Sequence, residues 1–292
     1  MNNFKLIHNY KDIPEYRLSF NDLANSTFGI DFEKWYQNGF WNDRYVCYSY
    51  TYGRKVVANI SINKMDVIIE GERKRALQLG TIMTHPEYTK RGLAKGLMNI
   101  VLEEYEKKYD FTYLFANESV LNFYPKFGFK SSKERQFSID LNISKAKVGK
   151  LRKLDVSNTQ DLRLISNFAS ERIPVSDIFG TENSEHILMW YCLNIFHNDI
   201  YYLEEEDVVV IYKTEKNKLH LYDVISKGDV YLNRIINTIS SNKIKKVVFY
   251  FTPDSKSING TLDVFESGEM IFIKPNSLNV NIDFKYPITS QA

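Results

Sequence analysis

Cysteine is nearly absent. Cys47 and Cys192 are the two thiols in 292 residues, and they lie in different halves of the chain among apolar neighbours. A disulfide framework is thereby excluded, and two buried thiols in a reducing compartment are expected. Long apolar runs are missing too: none approaches the ~18 residues of a membrane helix, and residues 1–17 scatter charges where a signal peptide needs an uninterrupted apolar stretch. A cytoplasmic location with no membrane partner is the expectation. Nor is there an excess of one charge, since 38 Lys and Arg face 36 Asp and Glu for a net of +2. Such a chain lacks the global field of a nucleic-acid binder. His8, His186, His197 and His220 are scattered, with no Cys or His at ligand spacing, so no metal site is expected.

What is present fits a globular protein: 43% hydrophobic residues, 25% charged, and a 14% aromatic share rich in Tyr and Phe. Typical domains run to about 100–200 residues, so two are expected. Residues 4–8 read as a strand, 13–28 and 31–40 as helices, and 44–50, 55–63, 67–69 and 76–84 as the strands of a meander. After His85-Pro86 the period changes to helical, with Leu93, Leu97, Ile100, Val101 and Tyr105 on one face. A strand at 113–116, a helix at 119–127 stopped by Gly128, and a last strand around 136–141 complete the first half. The second half repeats the order: a strand at 150–154, helices at 161–172 and 184–195, strands at 200–203, 208–212 and 219–224, a helix at 230–239 and a strand at 247–251. The repeat rests on element order and segment length, without residue-level identity. The polar, basic segment 142–149 is the candidate linker between units 1–141 and 150–292. Its basic run lacks interleaved aromatics and reads as solvated, as does the acidic turn at 204–207.

The stretch from Gly80 to Gly96 runs from strand through a glycine-bearing loop into an amphipathic helix. Gly92 and the small Ala94 permit close backbone approach, the first helical turn offers unpaired N–H groups, and the helix dipole adds about half a positive charge. Lys90, Arg91 and Lys95 add full charges, so the loop suits a pyrophosphate. Taken alone it also fits a solvated basic helix start. The dinucleotide and Walker A spacings do not occur.

The run His85-Pro86-Glu87-Tyr88-Thr89-Lys90-Arg91-Gly92-Leu93-Ala94 resembles motif A of the GNAT superfamily, [QR]-x-x-G-x-[GA], with Gly92 and Ala94 matching and Thr89 standing where Gln or Arg is usual. Farther on, Asn117 through Phe129 resembles the N-x6-Y-x3-G-F segment of that superfamily. The resemblance covers residues 1 to about 141. It implies an α+β fold, a central mixed, twisted sheet flanked by helices, in two tandem copies of which the second is degenerate: Val224-Ile225-Ser226-Lys227-Gly228-Asp229 carries an acid where the basic cluster would be.

By carry-over, the resemblance implies an acetyl-CoA-dependent N-acetyltransferase acting on a primary amine. Its sheet splays after the fourth strand, the pantetheine arm lies along Ile82, Met83 and Thr84, and Thr89, Lys90, Arg91, Gly92, Leu93, Ala94 and Lys95 hold the pyrophosphate. Asn117 positions the cosubstrate and Tyr124 acts as general acid. Tyr124 as a packed aromatic, in a non-catalytic acyl-CoA-binding or regulatory module, is the alternative. His85, Glu118, Asp31 and Glu33 are candidates for a general base, as is a water chain. The acceptor and the oligomeric state, monomer or homodimer, stay open.

Overall fold

A computed structural model describes residues 3–117, 120, 122–142, 149–254, 260–265, 268–278 and 283–292. The first half contains β1 (Phe4–His8), α1 (Pro14–Phe28), α2 (Glu33–Gln37), β2 (Tyr45–Tyr52), β3 (Lys55–Ile69), β4 (Glu72–Thr84), α3 (Leu93–Tyr105), β5 (Phe111–Asn117), β6 (Lys130–Ser132) and β7 (Arg135–Asp140). Local chemistry accounts for several boundaries. Pro14 opens α1 where its missing N–H costs nothing, and Gly29, at φ 70°, closes it by donating its N–H to the Asn25 carbonyl. In place of the helix expected at 119–127 there is a 3-10 turn, Tyr124–Phe127. Pro125 has no N–H to donate and disfavours α geometry in the residue before it. Residues 118, 119 and 121 lie outside the described residues.

The second half contains β8 (Leu151–Lys153), α4 (Thr159–Glu171), β9 (Phe179–Glu182), α5 (Glu185–Asn194), β10 (Ile200–Leu203), β11 (Val208–Glu215), β12 (Lys218–Ile225), α6 (Leu232–Ile239), β13 (Lys246–Phe249), β14 (Thr261–Val264) and β15 (Glu269–Pro275). Two mixed sheets result. The first has the order β1-β2-β3-β4-β5-β15-β6, with β9 added on β3, and the second the order β8-β10-β11-β12-β13-β7-β14. In each the one parallel pair of the path is the fourth with the fifth strand, β4 with β5 and β12 with β13.

The two orders are the same, with one exchange. The strand expected to end the first unit forms as β7 but pairs with β13 and β14 in the second sheet. Its place between β5 and β6 is taken by β15, from the far end of the chain. Each half completes the other's sheet, so a boundary near residue 141 does not separate two closed sheets. Edge strands left unpaired expose a row of N–H and C=O groups, and the exchange satisfies both rows.

The halves also share a core. Phe20, Trp35 and Trp41 from the first half pack in one buried cluster with Leu188, Cys192 and Ile211 from the second. Helix α3 covers the other face of the first sheet through Leu97, Met98 and Val101, and α6 covers the other face of the second through Ile235 and Ile236. Fully burying a side chain of this size stabilises by about 1.5–3 kcal/mol. Neither half could expose the shared cluster without losing several such terms.

Candidate active site

Strands β4 and β5 pair from Ala76↔Phe111 to Leu79↔Leu114 and, among the described residues, no further. Beyond that point β4 continues to pair with β3 as far as Thr84, and β5 with β15 as far as Asn117. The two strands therefore part on their facing edges and open a wedge. A bulge in β4 aids this: its register against β3 slips between Asn59 and Ser61, and Thr81 takes a left-handed φ of 47°. The Thr81 carbonyl accepts from Asn59 Nδ2 at 2.9 Å, and its hydroxyl meets the Tyr45 hydroxyl at 2.8 Å.

A cavity of about 380 Å³ occupies the wedge. Leu79, Gly80, Thr81 and Ile82 wall it on the β4 side, Phe115, Ala116 and Asn117 on the β5 side, and Tyr124 lines it too. Phe28, Phe32, Trp35 and Tyr45 line it from the first half, Trp190, Tyr191 and Glu269 from the second. Residue 292 packs on Gly80 so closely that a Cβ there would sit 2.9 Å from the Ala292 carbonyl carbon.

Tyr124 is 6% exposed and packs against Phe272 and Phe123, with ring centroids 5.2 Å away in each case. Burial pushes its phenol up to about 12, so it stays protonated at neutral pH. Asn117, at the end of β5, lines the same cavity.

At the open end of β4, His85 and a 3-10 turn at Pro86–Tyr88 lead into α3. Lys90 and Gly92 have φ of 60° and 78°, and no side chain caps the helix at Gly92, so its first-turn N–H groups on Leu93, Ala94 and Lys95 carry no such partner. A Cβ on Gly92 would have nothing within 4 Å. Thr89, Lys90, Arg91 and Lys95 are exposed around it. Arg91 stacks over the Tyr88 ring at 5.1 Å and donates to the Glu87 carbonyl, which steadies its guanidinium beside the loop. Open N–H groups, a dipole end and three cations make this loop chemically suited to an anion.

Of the strand residues expected along the pantetheine, Ile82 lines the cavity, while the Met83 side chain turns into the shared core. Thr84 ends the strand opposite Ala58. The candidate bases are dispersed. Glu33 is bound to Arg17 at 3.0 and 3.2 Å, and those bonds hold its carboxyl below the ordinary range. Asp31 accepts the Glu33 N–H, and His85 Nε2 lies 2.9 Å from Lys55 Nζ. None of these three is among the residues lining the cavity. Glu118 lies outside the described residues. Glu269, Trp190 and Tyr191, which line the cavity from the second half, are not singled out by the sequence. A Trp-Tyr pair on a helix looks like core, and one acid in a turn-rich tail carries no spacing signal.

Residues 13–131 match the family model described as an acetyltransferase (GNAT) domain. No match is found among curated proteins. Among solved structures, a GCN5-related N-acetyltransferase from Kribbella flavida superposes with a TM-score of 0.57 at 18% identity, covering 94% of this chain and 72% of its own. A conserved protein of unknown function from Enterococcus faecalis gives a TM-score of 0.57 at 13% identity, covering 94% and 73%. Eis1 from Mycobacterium abscessus gives 0.57 at 11% identity, covering 94% and 74%. At these identities the likeness speaks for the fold, which thus extends over both halves. Residues 13–131 carry the likeness to the GNAT acetyltransferase domain, and the fold it implies is shared with these solved structures.

Proposed function

We propose that the chain transfers an acetyl group from acetyl-CoA directly to a primary amine. The observation that carries the reading is the wedge between β4 and β5, whose cavity Tyr124 lines and whose β4 wall leads on to the uncapped start of α3. Lys90, Arg91 and Lys95, with the N–H groups of Leu93, Ala94 and Lys95, would grip the diphosphate, where Gly92 leaves room and Thr89 flanks. The backbone of Ile82, Met83 and Thr84, whose edge toward β5 is unpaired, would run along the pantetheine, and Asn117 would fix its far side. The cosubstrate supplies the activated acyl carbon.

A main-chain N–H of the bulged strand would stabilise the oxyanion as the amine nitrogen attacks. The C–S bond then breaks, and the proton shed by the amine ends on sulfur. With its phenol raised to about 12, Tyr124 is a weaker acid than a thiol near ~8.5. Full transfer from it runs uphill, so its main service is a hydrogen bond to the departing sulfur, with the amine proton restoring the balance. No absence of a dedicated base stops this scheme, because a water can relay that proton.

The test pairs calorimetry of acetyl-CoA with a thiol-release assay over varied amines. Tyr124→Phe should leave the acetyl-CoA Kd within about 2-fold and lower kcat by about 10²-fold or more. Cosubstrate binding without acetylation of any amine would favour the non-catalytic acyl-CoA-binding module instead.

A further inference from the structure

The acceptor end of the cavity is built from two kinds of surface. Phe28, Phe32, Trp35, Tyr45, Trp190 and Tyr191 give it aromatic walls. Among the described residues that line it, Glu269 bears the one charged side chain. That residue arrives through the strand exchange: β15 seats it opposite Asn117 at the end of β5, on the rim of the wedge. Tyr191 and Glu269 line the same cavity, and burial first, then the Glu269 carboxylate, raise the Tyr191 phenol.

Resting on the acetyltransferase reading, we infer that the acceptor is a small primary amine carried on a flat apolar body, whose ammonium is received by Glu269 at its exposed position and gives one proton to water there before the neutral amine attacks, while the body lies between Trp190, Tyr191 and the aromatic wall of α2 and β2. An ammonium entering an apolar cavity loses hydration worth several kcal/mol unless a carboxylate or a ring face meets it. Glu269 supplies the first and the indole of Trp190 the second. The same carboxylate repels an acceptor bearing its own carboxylate beside the amine. A second ammonium, as on a polycationic acceptor, finds no second carboxylate side chain among the described lining residues and stays unpaired. Size agrees: about 380 Å³ shared with the thioester end leaves room for a small body only. The C-terminal half, without a basic loop of its own, thereby acquires a function as the wall and the anionic receptor of the acceptor site.

Two measurements on the full chain test this. Trp35 and Trp190 line the cavity, so tryptophan fluorescence follows amine binding without any reaction. With CoA bound in place of acetyl-CoA, so that no acetyl group can pass, phenethylamine should change the signal saturably, at a Kd about 10-fold or more below those for putrescine and phenylalanine. In the thiol-release assay the same order should appear in kcat/KM. Glu269→Gln should weaken phenethylamine binding about 10-fold or more, in the fluorescence Kd and in the kinetic KM alike, leaving the acetyl-CoA Kd and the melting temperature unchanged. Putrescine or phenylalanine bound as well as phenethylamine, or a Kd indifferent to Glu269→Gln, would overturn the inference. Failure of the wider reading looks different: acetyl-CoA itself does not bind, or phenethylamine binds in a Glu269-dependent manner and is never acetylated.

Discussion

Glu134 and Lys285 form an ion pair, 6% and 1% exposed at their side chains, at the point where the two exchanged strands leave their own halves. Lys285 Nζ donates to both Glu134 oxygens at 3.0 Å, and the carboxylate also accepts the Tyr286 N–H at 2.7 Å. Glu134 lies between β6 and β7, and Lys285 follows β15, so the pair clamps both crossings. Burial raises the Glu134 pKa and lowers that of Lys285, each opposed by the partner's charge. Removing one partner strands the other charge in the interior. Lys285→Met should therefore cost about 3–5 kcal/mol in urea unfolding, whereas joint replacement with Glu134→Leu should recover much of the loss.

The exchange also forbids independent halves. A chain of residues 1–141 lacks β15, so β5 would show an unpaired edge over Phe111–Asn117 and β7 would have no sheet. Expressed alone, either half should aggregate or give a poorly dispersed amide spectrum. Coexpression of 1–141 with 142–292 should return a soluble pair. A folded, monomeric 1–141 fragment would refute the claim that β15 is needed.

Gly92 tests the anion cradle by backbone alone. At φ 78° with open space around its Cβ position, Gly92→Ala meets strain and no clash. The expected cost is about 1–2 kcal/mol in stability, with a distorted first turn of α3. Joint Lys90→Glu and Arg91→Glu substitutions put like charge beside a diphosphate and should raise the acetyl-CoA Kd by about 10²-fold with little change in melting temperature, since both side chains are exposed.

That contrast marks what can be read along the chain and what cannot. The loop is legible because its determinants are neighbours: Gly92, Ala94 and the three cations lie within six residues, and the apolar stripe from Leu93 to Tyr105 follows at helical spacing. Most strands of both sheets are legible from apolar runs of four to eight residues for the same reason. Where β3 runs unbroken the sequence suggests two strands, because Lys64 and Asp66 interrupt the apolar run, yet the ladder against β4 carries on through both. The exchange of β7 and β15 leaves no trace in the pattern, because a strand's alternation says which face is buried and nothing about which edge it joins. Hence Glu269, which depends on that edge, is invisible from sequence, and so is the convergence of Trp190 with Tyr45 across the chain.

Gly80 should be intolerant of any side chain for a different reason. Its backbone is unstrained, but a Cβ would lie 2.9 Å from the Ala292 carbonyl carbon and 3.1 Å from its oxygen. Backbone atoms cannot swing aside as a flexible side chain does, so Gly80→Ala must lever residues 291–292 off the cavity wall. A loss of about 1–3 kcal/mol is expected in thermal unfolding. An unchanged melting temperature would mean that the tail yields freely.

His186 should make the fold acid-sensitive. It is 1% exposed, its Nε2 lies 3.1 Å from Asn63 Oδ1, and its carbonyl accepts from Trp35 Nε1 at 2.7 Å. Burial, and then the charge of Arg44, lower its pKa to about 3 from an ordinary 6.5. Above 6.5 the imidazole is neutral in both folded and unfolded chains, so its contribution there is complete and flat. Below 6.5 the unfolded chain takes up a proton that the folded chain refuses, and stability falls as the pH drops toward about 3. Over that span the loss attributable to this one group is of the order of a few kcal/mol. His186→Gln keeps a donor for Asn63 and does not titrate, so the difference in unfolding free energy between variant and parent should shift in the variant's favour as the pH falls from about 7 to about 4. A difference constant across that range would mean that His186 carries its proton in the folded protein too, and that the cavity floor beneath Asn63 is wetter than its packing implies.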